Sequence, residues 1–163
     1  MNYFELFGLP VAPSIDKSEL SKKYFGLQKA NHPDFFTQST EEEKEKALEL
    51  SAAINKAFTI FQFEEKTLEY FLQLKGLVKP DEKYELPAVF LAEMMEINEA
   101  LMDEPKDYVR SKVEDYESSL KQEIKPIIKN YNPGVSTDAD LMKLKEYYYK
   151  EKYLKRILDR LGD

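Results

Sequence analysis

Apolar positions recur at three- and four-residue intervals through most of the chain, the spacing of one helical face. Tyr3, Phe4, Leu6 and Phe7 open with a short apolar helix closed by Gly8 and Pro10. Asp16 followed three residues later by Glu19 reads as a capping-box-like start. From there Leu20, Tyr24, Leu27 and Asn31 fall on one stripe, with Lys22, Gly26 and Lys29 on the opposite side. Pro33 ends that helix, because its ring clashes with the preceding turn and pushes His32 towards extended backbone. Phe35 to Ser39 reads as loop. A third helix is predicted from Thr40, where Glu41, Glu42, Glu43 and Glu45 suit the positive end of the dipole. Its stripe is Ala47, Leu50, Ile54, Ala57 and Phe61, at spacings of 3, 4, 3 and 4, and can dock on the Leu20 stripe. A short helix over Lys66 to Lys75 ends at Gly76.

Residues 77–87 carry two prolines, several charges and no period, and read as a linker. Three further stripes follow: Phe90, Met94, Ile97 and Leu101; then Val109, Val113, Tyr116, Leu120, Ile124, Ile127 and Tyr131, with Pro126 expected to kink the helix; then Leu141, Leu144, Tyr148, Leu154, Leu158 and Leu161. Short connections predict an antiparallel three-helix bundle over 88–163. The fold class expected is all-α.

With 163 residues, 42% hydrophobic and 34% charged, the chain suits one domain or two small ones with a real core. Zero cysteines exclude disulfides and thiolate metal sites, and a single histidine, His32, closes multi-histidine zinc sites. No metal or other cofactor is expected. The net charge of −7 argues against nucleic acid, whose binding rests on basic patches. The chain shows neither a membrane-length apolar run nor a basic export leader, so cytoplasmic residence is expected.

His32-Pro33-Asp34 lies between two antiparallel helices, the second carrying Ile54-Asn55-Lys56-Ala57-Phe58. This context resembles the J-domain of DnaJ-type co-chaperones. The stretches Tyr3 to Leu9, Glu69 to Leu72 and Phe90 to Glu96 resemble HscB, the J-protein family dedicated to iron–sulfur cluster assembly. The resemblance implies a J-domain over 1–76, a linker over 77–87 and a C-terminal three-helix bundle over 88–163, set in an L. It also implies a non-enzymatic role: activating the ATPase of a DnaK/HscA-type chaperone and delivering the cluster-scaffold protein to it. Phe35 stands where the family commonly has a basic residue, and the lack of cysteine fits the shorter bacterial type.

Two sites follow from the resemblance. The chaperone site comprises His32, Pro33 and Asp34, with Lys22, Lys23 and Lys29 supplying positive charge. An exposed Asp34 carboxylate on a proline-fixed turn suits a charge-assisted bond to an arginine; the same residues also make an ordinary turn, and exposed lysines are ordinarily a solvated face. The scaffold site comprises Leu91, Ala92, Met95, Glu96, Glu99 and Tyr153, with Ala92 replacing a larger apolar residue typical of the family. On pattern alone Leu91, Met95 and Met102 also read as the edge of a broad core arc. The run Tyr147-Tyr148-Tyr149 and Tyr153 reads as amphipathic packing and not as a nucleic-acid track. Two alternatives stay open: a J-protein with another client, and a metal-dependent hydrolase built from some of the 31 acidic residues.

Overall fold

A computed structural model describes residues 1–162, and it is helical with no strand among them. The helices are α1 (Tyr3–Leu6), α2 (Lys17–Ala30), α3 (Glu41–Phe61), α4 (Glu64–Leu74), α5 (Ala88–Asp103), α6 (Lys106–Lys129) and α7 (Asp138–Leu161). Pro33–Phe36, read from the sequence as turn and loop, forms a one-turn 3-10 helix. Proline pre-sets φ for a first helical position, and the amide it lacks there needs no partner. The chain divides into two compact units, Met1–Leu74 and the remainder from Lys75. Among the described residues no helix is long and apolar enough to cross a membrane.

In the first unit the N-caps set the helix starts. Asp16 accepts from the Glu19 amide and Thr40 from the Glu43 amide, each relieving an amide that the first turn leaves unpaired. Helices α2 and α3 run antiparallel. Tyr24 stacks on Phe58 at 3.9 Å between centroids, and both the Tyr24 hydroxyl (2.8 Å) and the Gln28 amide (2.7 Å) donate to Asn55 Oδ1. Around Ile54, Ala57 and Phe61 gather Phe4, Phe7, Leu20, Leu68, Phe71 and Leu72, all buried. Gly8 turns the chain out of α1 at φ +64°, a backbone that L side chains resist. Tyr70 fastens α1 to α4: its ring stacks on Tyr3, and its hydroxyl accepts the Tyr3 amide at 2.9 Å.

In the second unit α5, α6 and α7 form an up-down-up bundle around Phe90, Met94, Ile97, Val109, Val113, Leu120, Leu154, Ile157 and Leu161. Burying a side chain such as the fully enclosed Met94 contributes about 1.5–3 kcal/mol. Helix α6 continues three residues beyond Pro126. The α7 stripe needs correction. Its buried residues are Leu144, Glu151, Leu154, Ile157 and Leu161, while Leu141, Tyr148 and Leu158 are only partly buried. A carboxylic acid in a core position hid the true period, because Glu151 reads as polar.

Residues 77–87 hold no helix, yet they are packed. Val78 is buried, Glu82 pairs with Lys145 at 2.9 Å, and Tyr84 stacks on Tyr149 at 4.5 Å.

Candidate functional site

The first cluster is the turn after α2. His32 has extended backbone (φ −65°, ψ 134°) and caps the 3-10 helix, its Nδ1 accepting the Asp34 amide at 3.3 Å. A neutral imidazole that accepts through Nδ1 carries its proton on Nε2. The Asp34 carboxylate lies 3.4 Å from the same Nδ1 and is 85% exposed. The sequence thus builds a short, self-capped turn that holds one carboxylate outward. Phe35 continues the same tip: its amide donates to the His32 carbonyl, its ring meets the His32 ring edge-on, and its side chain is exposed. A basic residue here would have added charge beside Asp34; Phe35 adds apolar surface.

Lys22, Lys23 and Lys29 are all exposed on α2, but they do not form one patch. Lys22, Phe25, Gly26 and Lys29 share a stripe that runs into the tip, with Lys22 about 10 Å along the axis from Lys29. Lys23 lies on another side, its ammonium 3.6 Å from where a Cβ on Gly8 would sit. Helical rotation, about 100° per residue, separates it from its neighbour. The clamp of Tyr24 and Gln28 on Asn55 sits within two turns of the tip and fixes the angle at which α2 presents it.

The second cluster lies on α5. Phe90, Met94 and Ile97 take the core, so Leu91, Ala92, Met95, Glu96 and Glu99 are exposed. Met95 is 63% and Met102 88% exposed, which decides against the core-edge reading for these two, while Leu91, at 38%, stays at the margin of the packed arc. Val89, exposed as well, extends the face at its start. It escapes a search for apolar period, because exposure depends on which side the neighbouring helices cover. The result is an apolar strip bordered by two carboxylates. Lys112 of α6 stands nearby: a hydrogen bond with Tyr108 raises its pKa first, then the charges of Glu104 and Glu96.

Tyr153 reaches this region from α7. Its half-buried ring packs edge-on against Phe90 at 5.8 Å, directly beside Leu91 in sequence. Phe90 also meets Tyr116, whose hydroxyl pKa is pushed up to about 12, by burial first and then by Glu93. Among the described residues no three histidine or acidic side chains converge as a metal-binding group.

Residues 86–162 match the family described as the HSCB C-terminal oligomerisation domain. The chain is similar, at 31% identity over 170 residues, to the co-chaperone protein HscB homolog of Shewanella halifaxensis, spanning 99% of this chain and 95% of that protein. It is 30% identical to the mouse (Mus musculus) iron-sulfur cluster co-chaperone protein HscB, over 98% of this chain and 67% of that one. The crystal structure of human co-chaperone protein HscB superposes with a TM-score of 0.76 at 26% identity, covering 99% of this chain and 80% of the other.

Proposed function

Because this chain belongs to the HscB family, we propose that it is a co-chaperone that couples an iron–sulfur cluster scaffold protein to a DnaK/HscA-type chaperone. Residues 1–76 act as the J-domain and stimulate the chaperone's ATPase. Residues 88–163 carry the scaffold, with 77–87 between them. The observation that carries this reading is the turn itself: Asp34, pinned by the His32 cap and Pro33, presents an exposed carboxylate.

The mechanism is differential binding. A rigid turn that fits the chaperone better in its hydrolysis-competent arrangement lowers the barrier to chemistry performed in the partner. Asp34 supplies the charge-assisted contact. His32 shapes the turn and transfers no proton. Lys22 and Lys29, along the stripe that leads to the tip, steer an acidic surface towards it, and Lys23 contributes only to the general field.

Leu91, Ala92, Met95, Glu96 and Glu99 form the scaffold-docking face, with Tyr153 at its edge. An apolar strip rimmed by carboxylates suits a partner with an apolar patch beside basic residues. The short Ala92 leaves a shallow point that the partner's side chain fills.

The direct test is the ATPase rate of the purified chaperone with this protein, with and without the scaffold protein. Stimulation by this protein, increased further by the scaffold, is expected. No stimulation at any concentration removes the J-domain assignment; stimulation indifferent to the scaffold leaves a J-protein with another client. The family's description favours a second use of the bundle, self-association. Sedimentation of the protein alone, compared with the Met102→Ser variant, shows whether copies meet through this exposed face.

A further inference from the structure

A groove of about 350 Å³ lies in the second unit, between residues 82–86 and one face of α7. Tyr149, Lys152, Tyr153 and Arg156 stand at positions i, i+3, i+4 and i+7, so they line one side together. Lys83, Tyr84 and Leu86 line the other. The lining thus combines three tyrosine rings and Leu86 with three cations and one carboxylate.

The only carboxylate in the lining is already engaged. Glu82 accepts Lys145 at 2.9 Å and the Tyr149 hydroxyl at 2.5 Å. These bonds, with the Tyr84–Tyr149 stack, anchor the extended segment to α7 and hold the groove open before anything binds. Lys83, Lys152 and Arg156 stay exposed. Lys152 leans towards the Tyr148 ring at 5.8 Å. In a chain of net charge −7, three such cations among tyrosine rings make a local field opposite to that of the whole protein.

We propose that this groove takes an acidic, extended segment of the scaffold protein. Its carboxylates meet Lys83, Lys152 and Arg156, and an apolar side chain rests on Tyr84, Tyr149 and Tyr153. The inference rests on the scaffold-binding reading and enlarges it. Tyr153 lines the groove and also touches Phe90 of α5, so the groove adjoins the α5 face. One partner then meets carboxylates on α5 and cations on α7, a pairing that fixes its orientation. Three cations are too few, and too closely grouped, for a nucleic-acid track.

The test is calorimetry of the full chain against purified scaffold protein at low and high salt. The variants are the triple change K83Q/K152Q/R156Q and the single change Arg156→Glu. Wild-type affinity should fall as salt rises. The triple variant should bind about tenfold more weakly at low salt and respond less to salt, since exposed charges act through screened fields. Arg156→Glu should weaken binding further, and both variants should melt as the wild type does. Unaltered affinity and salt response in both variants overturn the groove assignment and leave the scaffold reading standing. If the wild type itself binds no scaffold protein, the underlying reading fails and the inference with it. Binding of a single-stranded oligonucleotide, lost in the triple variant, would put nucleic acid in the groove and overturn the acidic segment.

Discussion

Glu151 of α7 and Glu117 of α6 face each other inside the second unit, a carboxyl group beside a carboxylate. Glu151 is 7% exposed, and its Oε2 is buried without a partner. Burial pushes its pKa up to about 8, with Glu117 adding to the effect and the Lys121 and Lys155 charges opposing it. Glu117 is also partly buried, which alone would raise it. The neighbouring Glu151 carboxyl and the Lys121 ammonium at 3.2 Å outweigh that and hold it below the ordinary carboxylate value. The proton therefore sits on Glu151, and the negative charge sits beside the lysine.

This pair makes stability depend on pH. The pKa of Glu151 is about 8 when folded, against 4.5 for an ordinary glutamate. The folded state thus holds a proton that the unfolded chain has released. Its contribution is fully present below 4.5 and is lost as pH rises to about 8. Glu151→Gln keeps a donor towards Glu117 and cannot ionise. It should stabilise the protein by about 1–3 kcal/mol near pH 8, the scale of a buried hydrogen bond to a charged group. Thermal melts across this range should show a flatter profile for the variant. Profiles that run parallel would refute the shared proton.

Asp34→Asn should abolish stimulation of the chaperone ATPase with no change in the melt. The side chain is 85% exposed, so folding has little stake in its charge. Loss of a charge-assisted contact of about 1.5–3 kcal/mol weakens binding roughly tenfold to a hundredfold. Stimulation equal to wild type at matched concentrations would remove Asp34 from the interface.

Replacing Leu91 and Met95 together with alanine should abolish scaffold binding while leaving basal ATPase stimulation intact. Met95 is 63% exposed, so its change should alter stability by about 0.5 kcal/mol or less, while Leu91, 38% exposed, keeps much of its side chain in contact and should cost about 1 kcal/mol. Met94→Ala is the contrast. That side chain is fully buried, and its truncation should cost about 2–5 kcal/mol. Calorimetry read beside a melt separates the two; retained scaffold binding by the double variant would move the docking face elsewhere.

Gly26→Ala should stabilise the first unit. Gly26 sits inside α2 with ordinary helical backbone, and a Cβ there would meet nothing within 4 Å. Alanine is better than glycine by about 0.8–1 kcal/mol in such a position. A rise in the melting midpoint with unchanged ATPase stimulation is expected. Higher stability with weaker stimulation would show that the chaperone approaches this stripe closely.

The helical period was legible in the sequence wherever a stripe was purely apolar. Ala47, Ile54, Ala57 and Phe61, and again Phe90, Met94 and Ile97, lie buried as their spacing predicts, with Leu50 and Leu101 of the same stripes partly buried. The caps at Asp16 and Thr40 were equally readable, because a side-chain oxygen three residues before an unpaired amide is a local matter. The tip was legible for the same reason: Pro33 acts on its immediate neighbours. Three features needed the tertiary structure. Glu151 became a core residue only because α6 brings Glu117 to meet it. That the side of α2 carrying Lys23, which helical rotation already sets apart from Lys22 and Lys29, faces Gly8 is decided only by the fold. Leu91 and Met95 became surface only because α6 and α7 cover the other side of α5. Propensity, capping and proline chemistry act within a turn or two of chain, so they can be read along it; burial and pairing are properties of what folding brings alongside.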